Sequence, residues 1–194
     1  MVTGWMMTAE MSAATTNIRL FCGRDSDGMV RKLEDAMIHK KIVSSLEIRE
    51  TFLEDSVIDS IVDLLSRGSV KTIHLEDCSA HLNKSAVRLV EALGNCRDVR
   101  LSEHTFLSKY FLATFLESAT QLKKLWIKDH LLVEQVESLS RGLVSNKNLH
   151  TLDLSRSKID DFPLLAEGLR DGCAKKVKLR SIGLRDGQLA TLMG

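Results

Sequence analysis

The stretch Leu149-His150-Thr151-Leu152-Asp153-Leu154-Ser155-Arg156-Ser157-Lys158-Ile159 decides the fold. At its centre two leucines flank one aspartate, the period-two pattern of a short strand with one buried face. The same arrangement of two aliphatic residues around one other residue occurs at Ile18-Arg19-Leu20, Leu46-Glu47-Ile48, Ile73-His74-Leu75, Val99-Arg100-Leu101, Leu125-Trp126-Ile127 and Ile182-Gly183-Leu184. Successive starts lie 28, 27, 26, 26, 27 and 30 residues apart. Self-similarity at such a step indicates a repeat architecture.

Between these segments the apolar period changes to that of a helix. Val57, Ile58, Ile61, Val62 and Leu65 form one run, Val87, Val90 and Leu93 a second, and Val133, Val136, Leu139 and Leu143 a third. Each unit is therefore expected to be a strand followed by a helix, an α/β arrangement. Gly68, Gly94, Asn146 and Gly172 follow such runs, where a left-handed residue closes a last turn cheaply. Asp160 and Asp161 precede Phe162-Pro163, and proline is tolerated in a first helical turn. Asn83, although it opens an Asn-Lys-Ser glycosylation acceptor, reads more simply as a helix cap.

The 149–159 stretch resembles the leucine-rich-repeat consensus LxxLxLxxNxL, with Ser157 in the Asn position. Leu122-Lys123-Lys124-Leu125-Trp126-Ile127 repeats its first half, and Cys78 takes the Asn or Cys position of the third unit. Gly23, Thr51, His104, His130 and Gly187 depart from the pattern there. Units of this length are similar to the ribonuclease-inhibitor-like subclass. The resemblance implies an intracellular, horseshoe-shaped solenoid of about seven strand-helix units over residues 16–194, with a parallel sheet on the concave face and residues 1–15 as tail or cap. No single unit of such a fold buries its own apolar face, so neighbours stabilise one another.

Composition fits that reading. The 194 residues are 44% hydrophobic and 27% charged, the range of a chain with a packed core. A formal charge of +1 gives no global field to draw nucleic acid or an anionic membrane. Cys22, Cys78, Cys96 and Cys173 are scattered without a CxxC pair and read as free thiols. The start, MVTGWMMTAEMSAATT, fits neither a secretory signal nor an arginine-rich transit peptide, and no apolar run is long enough for a spanning helix. The expected location is cytoplasmic.

If the aliphatic pairs point inward, the residues between and beside them form the exposed sheet face. The central column is Arg19, Glu47, His74, Arg100, Trp126, Asp153 and Gly183. Trp126, flanked by Lys124 and Lys128 and beside Arg100, has the composition of an interaction hot spot for an acidic or aromatic side chain. Glu47, Arg49, His74 and Glu76 form a mixed-sign patch toward the N-terminal half, suited to protein recognition or to self-neutralisation. The expected partner is a protein, with no nucleic acid, membrane, cofactor or metal, and the expected role is binding rather than catalysis.

Signals for chemistry are weak. Gly23-Arg24-Asp25-Ser26-Asp27-Gly28 with Glu34 matches part of an EF-hand loop but puts glycine at the first ligand position. Six histidines show no HExxH or zinc-finger spacing; His104 and His130 occupy equivalent positions in adjacent units. GxGxxG, GxxxxGK[ST] and GxSxG are absent. Lys175–Arg180 reads as a solvated loop entering the last strand, or as a patch for nuclear import or an acidic partner. Three other roles are weighed: a regulator like Ran GTPase-activating protein, acting through Arg49, Arg100 or Arg156; a ubiquitin-ligase substrate receptor, whose adaptor-binding segment does not fit in the 15 residues before the first strand, so that this reading requires the chain to be a fragment; and a self-assembler pairing through an open C-terminal edge at Ile182–Leu184.

Overall fold

The computed structural model describes residues 11–12, 15–21, 26–38, 42–81, 83–102 and 111–182. Seven of its strands form one parallel sheet: β2 (Thr15–Phe21), β3 (Val43–Leu53), β4 (Thr72–Ala80), β5 (Asp98–Ser102), β6 (Lys124–Lys128), β8 (Thr151–Asp153) and β10 (Lys176–Lys178). They lie across the sheet in chain order. β1 (Met11–Ser12) pairs antiparallel to β2, and β7 (His130–Leu131) and β9 (Lys158–Ile159) make a separate two-residue parallel pair. Six helices fill the connections: α1 (Ser26–Ile38), α2 (Asp55–Ser66), α3 (Lys84–Leu93), α4 (Phe111–Ser118), α5 (Val133–Ser145) and α6 (Phe162–Asp171). The chain is thus an α/β protein in which each helix packs on the next.

The register follows the aliphatic pairs. Ile18, Leu46, Ile73, Val99, Leu125 and Leu152 are successive partners across the sheet. From Leu46 to Leu154 both members of every pair are almost fully buried, in one cluster with Val57, Ile61, Leu89, Leu116, Leu139 and Leu165 of the helices. Helices therefore cover that face of the sheet, and the central column lies on the other, open face. The helical reading holds over most of its length, but Val87 and Val133 sit exposed in first turns.

The last strand is not where the sequence pattern placed it. β10 pairs Val177 with Leu152 and Lys178 with Asp153, so the seventh aliphatic pair is Val177 and Leu179, after a step of 25 residues. Ile182 lies in a bend and is buried, whereas Gly183 and Leu184 are outside the described residues. A backbone signature agrees with the new register. Glu50, Asp77, Arg156 and Ser181 all have φ between 49° and 69°, each two residues past the second aliphatic of its unit. The Lys175–Arg180 cluster, expected as a loop, is therefore strand at its centre.

Helix ends also differ from expectation. Only Gly68 is left-handed, at φ 70°. Gly94 and Gly172 have negative φ, and packing explains them: a Cβ on Gly94 would lie 3.1 Å from Ala119 Cα, and one on Gly172 would lie 2.7 Å from Gly168 O. Asn146 is extended and works through its side chain, whose Nδ2 donates to Leu116 O (2.7 Å) and Ala119 O (3.0 Å). Its Oδ1 accepts from the amides of Asn148 and Leu149, both at 2.8 Å. Asn83 caps its helix as read, its Oδ1 accepting from Ala86 N at 3.1 Å; Pro163 sits in the first turn of α6 as expected, and there Asp161 Oδ1 accepts from Leu164 N at 3.0 Å.

Candidate functional site

Strand register brings the central column together on the open face. Arg19, Glu47, His74, Arg100, Trp126, Asp153 and Lys178 are successive neighbours, with Lys178 in the place expected for Gly183. The column divides into two regions that meet at His74.

The first region is an ion-pair network. Arg49 binds Glu47 through Nε (2.8 Å) and Nη2, and its Nε lies 3.0 Å from Glu76 Oε2. Arg19 Nε approaches the other Glu47 oxygen at 3.0 Å. The His74 ring lies between the two carboxylates, with Nδ1 3.4 Å from Glu47 and Nε2 3.8 Å from Glu76. Burial pushes the Glu47 carboxyl up, but Arg49, His74 and Arg19 outweigh it and hold the group below its ordinary range. Burial holds the His74 imidazole below its usual value, against the pull of both glutamates. Glu47, His74 and Glu76 are close enough to share a cation, yet Arg19 and Arg49 already supply the compensating charge.

The second region is a groove of about 420 Å³. Trp126 is half-buried there and reaches past the intervening strand to meet the His74 ring edge-on, with centroids 5.8 Å apart. Lys124, Arg100 and Asp153 line the groove with it, as do Asp98, Lys176 and Lys178. Arg100 is paired with Asp98 at 3.5 Å and Lys178 with Asp153 at 2.9 Å. For Asp153, burial raises the carboxyl and the bonds from Ser155 and Lys178 lower it further than burial raises it. The groove is open, and His74, whose imidazole burial holds low, lines it as well as the ion-pair network.

The predicted residues are therefore distributed unevenly. Arg100, Trp126, Lys124, Asp153 and His74 share the groove; Glu47, Arg49 and Glu76 belong with His74 to the network; Lys128 does not line the groove. Lys176 and Lys178 were missed as site residues. Their signal was Val177-Lys178-Leu179, which fits the repeat pattern as well as Ile182-Gly183-Leu184 does. The same correction changes the C-terminal edge, where the outermost described strand carries two lysines, a feature that blunts edge pairing.

Other candidates resolve as structure. Gly23 to Asp25 lie outside the described residues, but α1 begins at Ser26 and makes Glu34 mid-helical, which a twelve-residue calcium loop does not allow. His104 and Gly187 also lie outside them. His130 is exposed and its Nε2 bonds Asp160 Oδ1 at 2.7 Å, a contact that holds the Asp160 carboxyl low. At the Asn or Cys position, Cys78 Sγ donates to Ile48 O (3.4 Å) and Ser157 Oγ to Ile127 O (2.7 Å), the same bond to the preceding unit made by two residue types. Thr51, also buried, turns its hydroxyl to Arg49 O at 2.8 Å instead. Cys78, Cys96 and Cys173 are free, and burial pushes the first two thiols up to about 12. Among the described residues no helix is long and apolar enough to cross a membrane.

The fold and face define an α/β protein with a chain-ordered parallel sheet and one charged, tryptophan-centred open face. Neither a family model nor a curated protein matches the chain.

Proposed function

We propose that the chain is a leucine-rich-repeat solenoid of about seven strand-helix units that works as a binding module, holding a protein ligand on its open, concave sheet around Trp126. The solenoid reading is supported by strands that follow one another in chain order, where a doubly wound sheet reverses direction at a switch point. It is supported too by the left-handed residue recurring at Glu50, Asp77, Arg156 and Ser181, and by the shared bond of Cys78 and Ser157. The observation that carries the functional reading is Trp126 itself: a half-buried indole in an open groove rimmed by charge, the composition of an interface centre. An arginine-finger regulator finds less support, because Arg49 is held by Glu47 and Glu76 and Arg100 by Asp98, while Arg156 does not line the groove.

The test is affinity capture from a lysate of the source cell with the wild-type chain and with an Arg100→Ala, Trp126→Ala, Lys124→Ala variant whose circular dichroism is unchanged. A protein retained by the wild type and lost by the variant is the expected result. Equal recovery of every captured protein would rule out the open face as the working surface.

A further inference from the structure

We propose that the groove beside Trp126 takes an acidic peptide segment in the polyproline II conformation, two of whose carboxylates, three residues apart, meet Lys124 and Lys176. This rests on the reading of the open face as a protein-binding surface and adds the chemistry of what is bound.

The charges of the groove do not cancel. Of its four lysines and arginines, Arg100 is matched by Asp98 and Lys178 by Asp153, which leaves Lys124 and Lys176 exposed and, among the described residues, without an ion pair. The excess continues past the groove. Lys124 also lines an adjoining hollow of about 470 Å³ together with Lys123, Lys147, His150 and Lys175, and no Asp or Glu lines it. In a chain of formal charge +1 this is a local concentration of positive charge, the complement of an acidic ligand.

Register sets the spacing. Lys124 pairs with Thr151 and Thr151 with Lys176, so the two lysines stand on equivalent positions two strands apart. At about 4.8 Å per strand that is about 9.6 Å. A polyproline II segment repeats every three residues and advances about 9.3 Å, so side chains at i and i+3 leave the same side at nearly that distance. A β-extended segment puts i and i+3 on opposite sides. Trp126 lines the groove from the strand that carries Lys124 and leans toward His74, so a polyproline II segment that runs from Lys124 to Lys176 passes beside the indole and has little entropy to lose.

A peptide fits better than a nucleic acid. A phosphodiester backbone needs cations along its track, and Asp98 and Asp153 stand in the groove beside Trp126. Those carboxylates accept hydrogen bonds from peptide amides, donors that a phosphodiester backbone lacks.

The experiment is a titration of the full chain carrying Trp5→Phe, so that Trp126 is its one tryptophan, with the fluorescein-labelled peptide Gly-Glu-Pro-Pro-Glu-Gly. Anisotropy and tryptophan emission are read together at low and physiological salt. The expected result is saturable binding with a shift in Trp126 emission, weakened at least about tenfold by Glu→Gln at both peptide positions and by the Lys124→Gln, Lys176→Gln variant. Lys158→Gln, a charge change on an exposed lysine outside the groove, is expected to leave the affinity unchanged. Equal binding of the Gln peptide, or full affinity in a folded double-Gln variant, would overturn the proposal. So would a twelve-residue thymidine oligonucleotide that displaces the peptide at equal concentration. Absence of peptide binding alongside Trp126-dependent capture of a protein would overturn this inference alone, and absence of both would overturn the function proposed above as well.

Discussion

Asn146 bonds to two carbonyls at the end of α4 and to two amides of its own loop, all from one side chain with only 5% exposure. Asn146→Ala leaves four backbone groups unpaired in the interior, and a loss of about 2–4 kcal/mol in a urea titration is expected. His74 governs a pH effect. Its imidazole is held below 6.5 in the fold, so the unfolded chain takes up the proton first and stability falls as pH falls below 6.5. Glu47, held below 4.5, extends the loss to more acidic conditions in the same direction. The urea midpoint of His74→Gln is expected to vary less between pH 7 and pH 5 than that of the wild type; an equal slope would remove His74 from the account.

Small residues set how closely the helices approach one another. Ser138 Oγ accepts from Ala113 N at 2.9 Å, giving a first-turn amide of α4 a partner on α5. Ser140 Oγ donates to Leu164 O of α6, also at 2.9 Å, and Gly168 faces Ser140 so tightly that a Cβ would lie 2.5 Å from its Cα. Because that atom is backbone, no rotamer change relieves the clash. Gly168→Ala is expected to cost about 1–3 kcal/mol by overpacking, although alanine is the better helix former. Thermal melts of Gly168→Ala and of Glu167→Ala, an exposed neighbour, separate the two effects. The apolar positions of these helices were legible from period alone. The tight glycines and serines were not, because the reason for them lies on the adjacent helix about 25 residues away.

For the whole molecule, the repeat array proposed above implies modularity. Helix contacts run α1 to α2 and onward to α6, and Lys124 is the register partner of Thr151. Deleting residues 125–151 so that Lys124 joins Leu152 removes one unit and preserves the strand phase. The shortened chain is expected to fold with native-like far-UV circular dichroism and a lower melting temperature, since each unit's stability depends on its neighbours. Loss of all cooperative structure would argue for an interlocked sheet and against a repeat array. The candidate face was legible at the same scale only in part. Six of the seven central residues follow from the step between aliphatic pairs. The seventh does not, because a 25-residue step and a 30-residue step both end on an acceptable pair, and only backbone pairing with β8 chooses Lys178 over Gly183.

The sequence by itself determined the alternation of strand and helix, the inward aliphatic pairs and the order of most of the open face, because periodicity is a local property that burial imposes on each unit. Tertiary structure decided what depends on distance between units. It brought Trp126 to His74 across an intervening strand, tied Arg49 to two glutamates, matched Asp98 and Asp153 to cations, and left Lys124 and Lys176 exposed at equal register. Those outcomes depend on how neighbouring strands stack, a geometry that no single unit encodes.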